Sequence, residues 1–209
     1  MKKTLFYLFI LASLGISQAQ TISKSTAEQY RQLATFNGQR FQTCKEKLTQ
    51  WGFTYNPSGV IDMLSMKMHP FFRAEGEDTV GAMLSVIDEV VYSLSGIVSS
   101  REPAHIFPLI AQASAIQQQL ATEKGLTKYV CSVKGEVSNK FPKSHDELVS
   151  VLAEATAESV GMVYETWKST DGKQTVSLIY NNKLYGKKKP KARDRAELNL
   201  GIGTVPERE

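Results

Sequence analysis

Two hydrophobic periods alternate along this chain. Steps of three and four residues, the mark of one helix face, join Tyr30, Leu33, Ala34, Phe41, Cys44, Leu48 and Trp51 into one stripe. Ser25 and Glu28 have the capping-box spacing at its start, and Gly52 is suited to end it. Gly38 bends this first helix or divides it in two. A second helix is expected from Pro103 to Lys124, with Ile106, Leu109, Ile110, Ala113, Ile116 and Leu120 inward and Gly125 as its stop. Pro103 and Pro108 suit only its start, where no intrahelical N–H is lost. Ser144 and Glu147 form another capping box, opening a short helix with Leu148, Val149, Val151, Leu152 and Ala155 inward.

Two-residue alternation marks the strands. The stretch Val80 to Val98, interrupted by Asp88-Glu89, reads as two strands joined by a tight turn, apolar on both faces and therefore central. Leu126 to Lys134 reads as a strand with Tyr129, Cys131 and Val133 on one face, and Glu197 to Ile202 as a last strand. Gly161 to Lys168 and Gln174 to Asn181 flank Asp171-Gly172, a pair favoured where both turn residues need positive φ. Asn56-Pro57-Ser58-Gly59 is a turn, and the apolar run Val60 to Met68 fits either a strand or a buried helix.

The fold class expected is α+β, with one or two antiparallel sheets carrying helices on one side. Lys47 to Thr54 resembles Gln119 to Thr127, and Val80-Gly81-Ala82-Met83 resembles Val160-Gly161-Met162-Val163. Two degenerate α-β-β repeats would follow, over residues 20–100 and 101–209; one continuous domain is the alternative. Such a layout looks like that of tandem-repeat periplasmic α+β proteins, for example the β-lactamase-inhibitor-like or TBP-like folds.

The start of the chain changes where the domain begins. Lys2 and Lys3 precede an uncharged apolar run from Leu5 to Ile16, and Ser17-Gln18-Ala19 offers small residues to a signal peptidase. Residues 1–19 therefore read as a cleavable signal peptide, leaving Gln20 first; the run is too short to span a bilayer. The Met-Lys-Lys start is similar to that of exported Gram-negative proteins, so a periplasmic or secreted location is expected. No cysteine stands at the cleavage point, which argues against a lipoprotein. An oxidising compartment permits a Cys44–Cys131 disulfide, although each also reads as a small buried thiol. His69, His105 and His145 have no Cys or His at ligand spacing, so no metal or other cofactor is expected.

Catalytic motifs are missing: there is no G-x-S-x-G, no H-E-x-x-H, no S-x-x-K accompanied by K-T-G, and no phosphate-cradling glycine loop. Asp88-Glu89 and Asp146-Glu147 read as a polar turn and a helix start rather than as opposed glycosidase carboxylates. Two surfaces invite contact. Tyr164 and Trp167 point to opposite faces of one strand, so at least one is a candidate for stacking. Lys183 to Arg195 holds seven basic residues and one acid; outside it and the leader, 16 basic residues face 20 acidic ones. Its Lys187, Lys188, Lys189, Lys191, Arg193 and Arg195 suit an anionic surface or protein, or serve as a solvated inter-strand loop. Nucleic acid is the least favoured target, since no recognition helix or RNA-binding signature accompanies the charge. The function expected is non-catalytic binding, of an inhibitor or immunity kind, in the cell envelope. The alternative is an envelope enzyme acting on glycan or peptide through a non-contiguous site.

Overall fold

Residues 30–63, 65–136 and 139–204 are described by a computed structural model. The leader and the Ser25/Glu28 capping box lie outside them. Residues 30–34 are helical, and Gly38, at φ 81°, separates them from helix α1 (Phe41–Gln50). Gly52, at φ 82°, follows the end of α1. Of the two outcomes expected at Gly38, division is the one found.

Strands β1 (Thr54–Tyr55), β2 (Ile61–Met63), β3 (Met66–Glu75), β4 (Asp78–Ile87) and β5 (Val90–Ser100) come next. The ambiguous run Val60 to Met68 thus holds β2 and the start of β3, the strand alternative of the two expected. Pro70 fits inside β3 because its C=O accepts from Asn56 N–H on the outer edge. Its missing N–H falls on that same side, between the pairings of β1 and β2. Asp88 and Glu89 both adopt positive φ, 47° and 64°, in the tight turn between β4 and β5. The Glu89 C=O accepts from Phe41 N–H at 2.8 Å, which ties that turn to the start of α1.

Helix α2 (Pro103–Glu123) follows, then β6 (Lys128–Gly135), α3 (His145–Ala153), β7 (Val160–Lys168), β8 (Gln174–Asn182) and β9 (Ala196–Thr204). Pro108 lies within α2, deeper than the first turn, and the helix continues through it. Ser144 caps α3 as its spacing predicts, accepting from Glu147 N–H; the Glu147 carboxylate turns to Lys143 N–H instead of Ser144. Between β7 and β8 only Gly172 has positive φ, at 75°. The expected two-residue turn is replaced by residues 169–173, where Asp171 Oδ1 accepts from Ser169 Oγ and Lys173 N.

All strands join one antiparallel sheet in the order β1-β3-β4-β5-β9-β8-β7-β6, with β2 also against β3. The architecture is α+β, as expected. Helix α2 lies across β5, β9, β8 and β7, and α3 packs on α2. Phe41 of α1 meets His69 and Phe71 of β3. Tyr30 and Leu33 lie over Gly96 of β5, where an added Cβ would stand 3.2 Å from the Tyr30 ring. These contacts all fall on one face of the sheet. Its inward residues include Val80, Ala82 and Leu84 on β4, Leu94 and Val98 on β5, Leu198, Leu200 and Ile202 on β9, and Val176, Leu178 and Tyr180 on β8. Burying such side chains contributes roughly 1.5–3 kcal/mol each.

Candidate binding surface

The opposite face carries no helix among the described residues. Strand register defines its members, because directly paired residues share a face. Across its middle run Ser85 of β4, Ser93 and Ser95 of β5, Gly203 and Gly201 of β9, and Thr175 and Ser177 of β8. With Met68 and Met83 these residues line a shallow groove of about 240 Å³. The expectation that β4 and β5 are apolar on both faces is therefore corrected. Apart from Met83 and Ile97, their large buried apolar residues face the helices, and Ser85, Ser93, Ser95 and Ser99 face outward, because only one side of the sheet is covered.

Apolar side chains frame this polar centre. Five of the six exposed large hydrophobic residues among those described, Ile61 (48%), Met63 (52%), Phe72 (40%), Val130 (53%) and Ile179 (37%), have their register partners on this face; the sixth, Phe141, lies between β6 and α3. Met66, Met68, Met83 and Ile97 extend the patch across β3, β4 and β5. Among the described strand residues, charge on this face is limited to Glu197, which pairs with Lys183 at 2.7 Å, and to Lys128, Lys134 and Lys168 at the β6 end. The Pro57–Gly59 turn reaches round to this side, where Gly59 sits against Pro70.

The aromatic candidates separate as alternation requires. Tyr164 pairs with Ile179 on the open face, whereas Trp167 packs on Tyr129 beneath the helices, ring centroids 4.5 Å apart. The basic segment forms a folded loop between β8 and β9. Asn182 Nδ2 donates to Ala157 O, Lys187 pairs with Asp194 at 2.9 Å, and Arg101 donates to Ala192 O. The hydrogen bond and charge of Lys187 hold the Asp194 carboxyl below its usual range. Tyr185 lies over Gly161, whose added Cβ would stand 2.8 Å from the ring. Lys188, Lys189, Lys191 and Arg193 remain exposed with no ion-pair partner among the described residues, while Arg195 is half-buried.

A polar cluster lies on the covered face. Glu165 of β7 is fully buried, and its Oε1 accepts from Ser114 Oγ of α2 at 2.9 Å. Ser114 Oγ also lies 2.7 Å from His145 Nδ1, at the start of α3. Burial pushes the Glu165 carboxyl up to about 7, against the smaller opposing effect of the hydrogen bond from Ser114. Ser114 and Glu165 are both 0% exposed, which leaves a substrate no approach to the serine oxygen. A second buried polar contact joins His69 Nδ1 to Tyr55 OH at 2.9 Å, beneath Phe41.

Cys44 and Cys131 are free and buried. The disulfide weighed from sequence is not formed: Cys44 sits in α1, which packs by β1 at one end of the sheet order, and Cys131 in β6 at the other. Burial pushes both thiols up to about 11. No group of His, Cys, Asp and Glu among the described residues could hold a metal ion, and no described helix is long and apolar enough to cross a membrane. No protein-family model matches the chain, and neither does any curated protein or solved structure.

Proposed function

We propose that this chain is an exported, non-catalytic binding protein that captures a protein partner on the open face of its sheet. The supporting observation is the gathering of Ile61, Met63, Phe72, Val130 and Ile179 on the one face left uncovered. At the β2–β5 end Ile61, Met63 and Phe72 join Met66, Met68, Met83 and Ile97 in a run of apolar surface; such surface marks interaction sites, and flexible methionines let it adapt to its partner. The small central residues let a partner's side chains approach the backbone of β5 and β9. Tyr164 adds an aromatic contact at the far end, and the exposed lysines of the 183–195 loop steer an acidic partner. The strand order is the same read from either edge toward β5 and β9, which favours two degenerate halves, each a helix followed by strands, around that seam.

The test is affinity capture from envelope extract, using the chain from Gln20 onward, with mass spectrometry of what is retained. The double variant Met83→Glu/Ile97→Glu should lose the retained protein while keeping its melting temperature. Equal retention by that variant would remove the face from the function. Neutralising Lys187, Lys188, Lys189, Lys191, Arg193 and Arg195 to Gln should weaken capture at low salt only. Export itself predicts that the processed protein begins at Gln20, which N-terminal sequencing reads directly.

A further inference from the structure

The chain of contacts from His145 through Ser114 to Glu165 runs from the surface into the covered side of the sheet, independent of what the open face binds. His145, the first residue of α3, is partly exposed, whereas Ser114 of α2 and Glu165 of β7 are fully buried. Ser114 Oγ stands 2.7 Å from His145 Nδ1 and 2.9 Å from Glu165 Oε1. A hydroxyl has one hydrogen to donate. Whichever neighbour receives it, the other must supply a hydrogen of its own. An ionised Glu165 carries none, so it takes the serine's hydrogen. His145 then has to donate from Nδ1, which leaves Nε2 bare, since the bond made by one ring nitrogen sets the state of the other.

Protonation of Glu165 reverses the direction of the chain. Its Oε2 is buried with no hydrogen-bond partner among the described residues, so a proton held there would go unshared. On Oε1 the proton donates to Ser114 Oγ, the serine hydrogen turns to His145 Nδ1, and Nε2 carries the ring N–H. The other groups facing the carboxyl stay neutral. Tyr129 and Cys131 of β6 are both pushed up by burial, Cys131 to about 11. The partner on β8 is Leu178, and Trp167 on the same strand does not titrate. Beside His145, α3 continues with Asp146 and Glu147, and Glu147 is engaged by Lys143 N. Neither His145 nor Glu165 has an ion pair among the described residues. We propose that the three residues form a proton relay: a proton enters at His145 Nε2, the Nδ1 hydrogen passes to Ser114 Oγ, and the serine hydrogen passes to Glu165 Oε1. One N–H forms and one breaks, each oxygen ends with one hydrogen, and the single added proton resides on the carboxyl. The relay joins the buried carboxyl to solvent without opening the sheet, and it turns Nε2 from an acceptor into a donor when Glu165 takes its proton.

The ring nitrogens of His145 report the direction of the chain. In the full, isotope-labelled protein they are read by long-range proton–nitrogen correlation NMR and assigned with His145→Gln. At pH 9 wild type should carry the N–H on Nδ1, the less common neutral form of histidine. Between pH 9 and 7, as Glu165 gains its proton, the N–H should move to Nε2. Ser114→Ala should place it on Nε2 already at pH 9. Glu165→Gln should hold one form throughout this range, which keeps the test decisive if Ser114→Ala does not fold. His145→Phe should slow proton uptake by the carboxyl after a pH jump about a hundredfold, followed by the infrared C=O band that Glu165→Gln removes. Three results would each overturn the proposal: N–H on Nε2 in wild type at pH 9, a wild-type shift in Ser114→Ala or Glu165→Gln, or unslowed uptake in His145→Phe.

Discussion

Replacing Glu165 by Gln tests the energetics of the covered face most directly. The carboxyl belongs to a strand whose neighbours on that side are hydrophobic, and it faces Ser114 of α2, Tyr129 and Cys131 of β6, and Trp167 of its own strand. His145 of α3 stands behind Ser114. Its folded value of about 7, against an ordinary 4.5, means that folding takes up a proton. At roughly 1.4 kcal/mol per pH unit, this group favours the fold by about 3 kcal/mol at a pH below 4.5 relative to a pH well above 7. That contribution is complete below the unfolded value, declines as pH rises, and is gone above about 7. Urea unfolding followed by tryptophan fluorescence between pH 5 and 8.5 should show wild-type stability falling over this window. Glu165→Gln should flatten the fall, because the amide keeps an acceptor for Ser114 and carries no titrating proton. Its advantage over wild type should therefore be greatest near pH 8.5. An unaltered slope in Glu165→Gln would refute the reasoning, since some other group would then carry the proton.

Glu89 holds a left-handed conformation at φ 64°, which costs a residue with a Cβ roughly 1–2 kcal/mol. Glu89→Gly should raise stability by about 1 kcal/mol in the same urea assay; a loss would mean that its side chain does more than occupy the turn. Cys44 and Cys131, buried and pushed up to about 11, should give almost no reaction with a thiol reagent in the native protein at pH 8. In urea without reductant, two equivalents should react, and a result near zero would reveal a disulfide.

Local order was legible where a single period decides it. The stripe from Ile106 to Leu120 can bury itself only as a helix, and Leu198, Leu200 and Ile202 share a face only in a strand, so α2 and β9 follow from spacing. The Ser144 cap was equally plain. β3 was hidden because Pro70 interrupts its pattern, and the hydrogen bond that excuses this proline comes from Asn56, on a neighbouring strand. The open face was missed, because the valines, isoleucines and leucines of Val80 to Val98 outweigh the alternating Ser93, Ser95 and Ser99 that mark its outer side. Which face helices would cover depends on α2 crossing four strands, an arrangement that no local pattern encodes. The Glu165 cluster was hidden for the same reason: Ser114 lies 51 positions from Glu165 and 31 from His145, so only tertiary packing brings them together. Basic charge was readable in the 183–195 loop, whereas its internal pairing through Asp194 was not.

The position of β9 has a consequence in time. This strand is the last of the described elements to be synthesised, yet it is inserted between β5 and β8. Without it the earlier strands can pair only as two separate sets, β1-β3-β4-β5 and β8-β7-β6, because no adjacent pair joins them. Non-local pairing of this kind slows folding, because a long stretch of chain must be ordered before the contact rewards it. A chain moving N-terminus first through a narrow conduit would thus remain threadable nearly to its end, and then close around its final strand.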